Sequence, residues 1–554
     1  DGARRLAAFL GEKSAAAFEE RLLAVLAATH RRFCELFERE ERLSSGEGSL
    51  IFTGVENDRG TLETLEKLGF QRPVDLCERV RRWHMGAIRA TRTARARELL
   101  TKLAPRLLEA LSKASDPDAA FVAFDEFVSR LPAGVQVFAL FANNPQIFDI
   151  LIRLLTISPF LGRELARRGG LIEALLESHW PTPAPGEDLL PALSDRLARI
   201  ERYEDKLNAV RRFAAEARFE TAAQLVLGLI GAEEAALRFT ATADAVLQAL
   251  LPVAEAEIER RHGKIDGALA VIAMGRLGAG AMTSTSDLDL VFIYEAGDGA
   301  QSDGKKPLDA VTYYLRLVRR FLTALSASTE EGALYEVDMK LRPTGSKGPW
   351  AVSLDAFERY YEGDAWTWEE MALTKARVVA GDAGLAQKMR AAIDRVIVRE
   401  RPPEKLAADV RDMRRRVAEA KPAGGPFDVK LAEGGLTDLE FTLAFLVLRH
   451  GAVYGASPPG ARATLAFLRE KGAMSREDAE GLLTALELFD AILQLSRAAV
   501  GGPFSPEKAG DALKARMAAA VFPGREAAGF DEAEEALLQR LADVKRIYDA
   551  AVKG

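Results

Sequence analysis

Cysteine is almost missing from this chain: its 554 residues include two, Cys34 and Cys77, too few for a disulfide framework and not arranged as a Cys-x-x-Cys pair. That scarcity fits a reducing compartment, and a cytoplasmic protein is expected. Aromatic residues are also few, at 7%. No apolar run reaches the roughly 18 residues that span a bilayer. The best candidate, Phe148 to Leu161, is broken by Asp149, Arg153 and Pro159. No secretory signal is legible in the opening residues. A net charge of −7, with the basic residues spread along the whole sequence, supplies no field to attract nucleic acid. The histidines His30, His84, His179, His262 and His450 contain no pair at metal-ligand spacing. We therefore expect neither a membrane nor a nucleic acid as partner, and look for a protein or small-molecule substrate.

What is present is a composition of 48% hydrophobic and 28% charged residues, typical of a globular protein in which helix predominates. At this length the chain divides into several domains. Leu6, Phe9, Leu10, Phe18, Leu22, Leu23 and Leu26 recur at helical spacing up to about Arg42, where Ser44-Ser45-Gly46 closes the pattern. The chain starts at Asp1 inside this helix without an initiator Met, so a fragment of a longer protein is expected. Amphipathic stretches continue to about Ile230, with a linker expected at the Pro-rich segment Pro181 to Gly186. The reading gives a helical lead-in over 1–100, a second helical region over 101–240, a mixed region over 241–385 and a helical bundle over 386–554. The fold class is α+β, predominantly helical.

The mixed region carries the chemistry. Ala268 to Met274 is a short apolar run ending at Gly275, as a buried strand would, and Leu288 to Tyr294 is a second. Val311, Leu315, Val318, Leu322 and Leu325 then form a helical stripe, and Ala333 to Met339 reads as a third strand. Gly275-Arg276-Leu277-Gly278 follows the first strand and Ser286-Asp287-Leu288-Asp289 opens the second. Period-two geometry puts Asp287 and Asp289 on one face. Two carboxylates at 4 Å repel by about 4 kcal/mol at an effective dielectric near 20. A divalent cation removes that cost, and Mg²⁺ couples such carboxylates to substrate phosphates. Gly275 and Gly278 let backbone N–H groups approach a triphosphate, and Ser286 can donate a hydroxyl. Asp338 is the candidate third carboxylate, with Lys340 and Arg342 sharing its side parity and able to neutralise phosphate charge.

Other features read more plainly. Ser115-Asp116-Pro117-Asp118 repeats the Ser-Asp-x-Asp spelling but lies between helices, where it reads as a loop with an N-cap. Trp368 reads as core rather than as an adenine platform, and Lys375 and Arg377 as phosphate ligands or solvated helix ends. Thr437 with Glu440 spells a capping box or a site carboxylate, and Arg411 to Arg416 a solvated face.

These motifs resemble a known family. Met274-Gly275-Arg276-Leu277-Gly278, Met282-Thr283 and Ser286 to Leu290 are similar to the nucleotidyltransferase core of the bacterial bifunctional glutamine synthetase adenylyltransferase/adenylyl-removing enzymes. Leu334 to Pro343, Trp366 to Glu369 with Lys375-Ala376-Arg377, Asp428-Val429-Lys430 and Gly434 to Phe441 extend the likeness. So does Ser129 to Gln136, which resembles the helical region between the family's two catalytic halves. One departure is Arg276, where the family usually shows Lys. The resemblance implies a polymerase-beta-like mixed-sheet core over 241–385, flanked by helical domains, in the C-terminal, AMP-attaching half of such an enzyme. It implies Asp287, Asp289 and Asp338 as catalytic metal ligands, with Gly275, Arg276, Gly278, Ser286, Lys340 and Arg342 at the nucleotide. It also implies Mg²⁺ as cofactor, ATP as donor, a tyrosine of glutamine synthetase as acceptor, and control by a PII signalling protein and glutamine. The alternatives are an adenylyl-removing phosphorylase, a uridylyl transferase, or an inactive nucleotide-sensing scaffold.

Overall fold

The computed structural model describes residues 57–114, 116–168, 171, 189–525 and 529–553, with isolated positions before residue 57. The expected lead-in helix lies largely outside the described residues, and the Pro181 to Gly186 linker lies wholly outside them. The chain forms two compact units, residues 1–113 with 133–143, and residues 114–132 with 144–554.

In the first unit the helices Arg59–Lys67, Pro73–His84, Ala94–Ser112 and Val135–Asn143 bury one stripe each. Leu99, Leu103, Leu107 and Leu111 illustrate the spacing, four residues apart along one face. Cys77 is buried there as a free thiol.

The second unit contains the whole mixed region and the C-terminal helices. Asp116 accepts the Ala119 N–H and caps the helix Pro117–Arg130, so the look-alike motif is the N-cap that its setting predicted. Two long helices, α1 (Tyr203–Leu227) and α2 (Ala232–His262), lead into the sheet. The second runs unbroken across residue 240 and stops at Gly263, whose φ is +75°.

Strands β1 (Gly267–Ala273) and β2 (Leu288–Ala296) are the two apolar runs, paired antiparallel and almost wholly buried. One turn of helix, α3 (Gly275–Gly278), follows β1. Helix α4 (Ala310–Ser326) then packs on the sheet through Tyr313, Tyr314, Leu317, Val318, Phe321 and Leu325. The stripe read from the sequence began one position off this face: Val311 is 52% exposed, because the aromatic residues take the sheet side, with Tyr314 stacked on Tyr294 at 4.7 Å.

Strand β3 is only Val337–Asp338, shorter than the expected Ala333 to Met339, and runs parallel to β2. Two strands were not foreseen. β4 (Ala351–Ser353) pairs parallel to β2 further along the same edge, and β5 (Arg377–Gly381) pairs antiparallel to β1 on its other side. The result is a five-stranded mixed sheet in a predominantly helical α+β unit. Between and after these strands come α5 (Leu354–Gly363), α6 (Thr367–Leu373), α7 (Ala383–Ile397), α8 (Pro403–Ala420), α9 (Leu436–Tyr454), α10 (Ala461–Glu470) and α11 (Arg476–Val500). Among the described residues no single helix is long and apolar enough to cross a membrane.

Arg211 on α1 is 2% exposed, and its guanidinium donates to the carbonyls of Leu207, Ala324, Ala327 and Gly332. It therefore holds α1 to the segment that carries the chain from α4 toward β3. Replacing it by Met keeps the stem but removes four hydrogen bonds, each contributing on the order of 1 kcal/mol. Arg211→Met is expected to lower the denaturation midpoint of this unit by at least the equivalent of about 3 kcal/mol, read by urea titration.

Candidate active site

The register of β3 on β2 sets Asp338 directly beside Asp289, and Asp287 lies two positions before Asp289 on the same face. The structure so brings the three expected carboxylates together, with one oxygen of each within 4.8 Å of the others. Burial, then the charges of Asp287 and Asp338, push the Asp289 carboxyl up to about 6, against the opposing pull of Lys430 and Lys375. Asp338 behaves differently. Partial burial raises its carboxyl, but the Lys340 hydrogen bonds and charge outweigh this and hold it below the ordinary range. The Lys340 N–H donates to Oδ1 and its Nζ to Oδ2, both at 2.7 Å.

Gly275 has a φ of +53°, and a Cβ there would stand 2.0 Å from Asp289 Oδ2. Glycine is thus required both by the turn and by the carboxylate lying over it. The loop before β2 is pinned from three helices. Thr240 on α2 accepts the Met282 N–H, Gln494 on α11 donates to the Met282 carbonyl, and Arg218 on α1 donates to Ser284 O and Leu334 O. Arg218 thereby ties the segments leading into β2 and β3 to one another, a role that no local motif signalled.

Several residues expected at the nucleotide make contacts within the protein. The Arg276 guanidinium donates to the Ala281 carbonyl (2.7 Å) and lies 3.8 Å from Asp490 on α11. Gly278 is needed because Lys375 O would lie 2.1 Å from a Cβ. Ser286 Oγ accepts the Thr283 N–H at 3.0 Å and so closes a turn. Arg342 is buried and donates to the carbonyls of Met339, Ser346 and Gly348, shaping the loop after Asp338. Arg377 sits in β5, with its Nη2 2.8 Å from both oxygens of Asp244.

Other motif residues resolve similarly. Trp368 is half-buried rather than core. Glu369 accepts the Trp366 N–H and the Tyr360 hydroxyl, which caps α6. No capping box forms at Thr437, because α9 starts from Gly435; the Thr437 hydroxyl donates to Lys430 O and Glu440 pairs with Lys375 at 2.5 Å. Arg414 is no solvated residue either: it is paired with buried Asp438, which also accepts the Gly434 N–H.

One further residue near the carboxylates was passed over by sequence reasoning. Lys430 is held by the backbone bond from Thr437 N–H to its carbonyl, and its charge acts on both Asp287 and Asp289. Burial, with Arg276 nearby, lowers its pKa despite the opposing pull of Glu440 and Asp287. Among the described residues Lys430 makes no ion pair. The site therefore has three carboxylates able to hold a divalent cation, faced by Lys340, Lys375 and Lys430.

Comparison with known proteins finds relatives along most of the chain. Residues 148–392 match the family model described as glutamate-ammonia ligase adenylyltransferase. The bifunctional glutamine synthetase adenylyltransferase/adenylyl-removing enzyme of Agrobacterium fabrum is 42% identical over 513 residues, covering 91% of this chain and 52% of that protein. Those of Rhizobium meliloti and Caulobacter vibrioides are 40% and 38% identical, covering 91% and 100% of this chain and 52% and 55% of the relatives. The chain is thus a homologue of these enzymes along most of its length, and it spans about half the length of the relatives it matches.

The raised Asp289 carboxyl has a definite sign. Its folded pKa of about 6 lies above the ordinary 3.8, so the stability it contributes is full below about 4 and is lost as pH rises through 6. A cation on the triad offsets that loss only where Asp289 is ionised. Excess Mn²⁺ is expected to raise the melting temperature by several degrees at pH 7.5 and by far less at pH 5, read by thermal melts; an equal rise at both would contradict the assignment.

Proposed function

We propose that this chain transfers AMP from ATP to a tyrosine hydroxyl of glutamine synthetase, releasing pyrophosphate. The observation that carries the reading is the parallel pairing of Asp289 with Asp338 beside the Gly275 turn, with Asp287 on the same face. We read residues 241–385 as a polymerase-beta-like core, residues 386–554 as its helical bundle, and the chain as the attaching half of such an enzyme. Residues 1–100 would then continue from the preceding half, with 101–240 as the linking helical region. Relatives carrying the bifunctional name support the substrate.

Mg²⁺, held by Asp287, Asp289 and Asp338, would supply charge neutralisation between the carboxylates and the triphosphate. The residues do the rest. Lys430 and Lys375 face the carboxylates and offer ammonium groups to phosphate oxygens. Asp338, kept ionised by Lys340, accepts a hydrogen bond from the attacking tyrosine and orients its oxygen toward the α-phosphorus. The new bond joins that oxygen to the α-phosphorus, the bond to the bridging oxygen breaks, pyrophosphate leaves, and the hydroxyl proton passes to the carboxylate and then to solvent. Control by a PII protein and by glutamine belongs to the same reading through the family resemblance.

The test is incubation with ATP labelled on the α-phosphate, Mg²⁺ and glutamine synthetase. Label is expected on the synthetase, and Asp289→Asn is expected to reduce it at least about a hundredfold. Bound ATP without labelled synthetase would favour a nucleotide-sensing scaffold. Steady ADP release from AMP-modified synthetase and orthophosphate would favour removal instead.

Lys430 gives a sharper check. Lys430→Met keeps the stem and removes the charge, and is expected to raise the KM for ATP about tenfold or more with little change in melting temperature. An unchanged KM would remove Lys430 from the phosphate site.

A further inference from the structure

A cavity of the second unit lies away from the three carboxylates. It has a volume of about 640 Å³ and lies between α2, α4, the start of β1 and strand β5. It meets β1 at the opposite end from the Gly275 turn, roughly 20 Å away along the strand.

Its chemistry is unlike the rest of the surface. Glu255 and Glu259 stand one turn apart on α2, so their carboxylates share a face at i and i+4, where like charges repel. Neither makes an ion pair or hydrogen bond among the described residues. Opposite them Tyr313 and Tyr314 are 4% and 2% exposed. No hydrogen bond to either hydroxyl is formed among the described residues, although both residues line the cavity and the Tyr313 hydroxyl feels the charges of Glu259 and Glu255. Leu251, Leu317 and Ala268 supply apolar wall between the polar groups. Asp382, also on the wall, is already committed to the Leu385 N–H as a helix cap, so it does not add to the free carboxylates. Lys264 is the one cation on the wall and is not paired with either glutamate.

Two unpaired carboxylates, two tyrosines whose rings are buried and whose hydroxyls are unpaired at the cavity wall, and an apolar wall between them are the complement of an aliphatic ammonium compound. The carboxylates and hydroxyls accept its N–H groups, and the leucines cover its methylenes. The space accommodates a chain bearing more than one ammonium. We propose that this cavity is a binding site for an aliphatic polyamine, separate from the nucleotidyl-transfer centre and independent of the reaction proposed there.

The test is isothermal titration of the whole chain with spermidine. One saturable site per chain is expected, weakened about tenfold or more in Glu255→Gln/Glu259→Gln and several-fold in Tyr313→Phe. Lys264→Met, which removes the competing cation, is expected to tighten binding. Tyr313→Phe deletes only a hydroxyl and keeps the proposal testable if the double variant folds poorly. Absence of saturable heat, or equal affinity in the variants, would overturn the proposal. So would displacement of spermidine by Mg²⁺ on equal terms, which would make this an inorganic cation site.

Discussion

Three carboxylates within 4.8 Å of one another repel, and much of the second unit can be understood as the means of holding them there. At such distances each pair opposes the other by about 4 kcal/mol under near-surface screening. Side-chain flexibility would relieve that repulsion, so backbone structure has to prevent it. The parallel pairing of β3 on β2 does so for Asp289 and Asp338, because neighbouring strands fix their Cα atoms about 5 Å apart. Gly275 makes room for the Asp289 carboxylate, Lys340 saturates Asp338, and Lys430 offsets the negative potential at Asp287 and Asp289.

The sheet could not do this alone, since β3 is two residues long. Arginines from the helices substitute for the missing ladder. Arg218 joins Ser284 O to Leu334 O, and Arg211 gathers Ala324 O, Ala327 O and Gly332 O. Arg342 shapes the chain immediately after Asp338. A guanidinium suits this work because one planar group carries five donors and stays charged when desolvated. Carbonyls that would otherwise be unpaired in irregular segments are thereby satisfied, and strand ends acquire positions as definite as those within a sheet.

Legibility in the sequence followed the range of the interaction. β1 and β2 were readable because a buried strand declares itself as an apolar run, and the shared face of Asp287 and Asp289 because the strand period is two. β5 was hidden: only five residues long, it begins with Arg377, whose charge is matched by Asp244 from a helix more than a hundred residues earlier. Arg276, Gly278 and Arg342 sit in motifs yet act on protein backbone or on Asp490, a distinction that spelling does not carry. The capping box at Thr437 failed for a tertiary reason. Gly434, at a φ of +74°, packs against the Leu541 carbonyl, and Gly435 next to it is the N-cap of α9, so the helix has begun before Thr437 can serve as its cap. Lys430 was missed for the same cause, as its position depends on that turn.

The cations around the triad are mostly engaged already, and this governs what a phosphate gains by arriving. Lys340 is paired with Asp338 and Lys375 with Glu440, whereas Lys430 makes no ion pair among the described residues. A triphosphate must exchange with a carboxylate for the first two, so it gains only the difference between two charge-assisted interactions. The exchange at Lys340 is cheap because that side chain is 79% exposed and its pair is screened by solvent. At Lys375 it is dearer, since Glu440 would keep its charge in a site only partly open to water, with Arg276 and Lys430 offsetting part of that cost. Lys430 alone offers its charge without a competing carboxylate. On the proposed function, the strength of phosphate binding would therefore rest more on the turn from Lys430 to Gly435 than on the glycine loop of the sheet, and the helices that follow β5 would take part in the site.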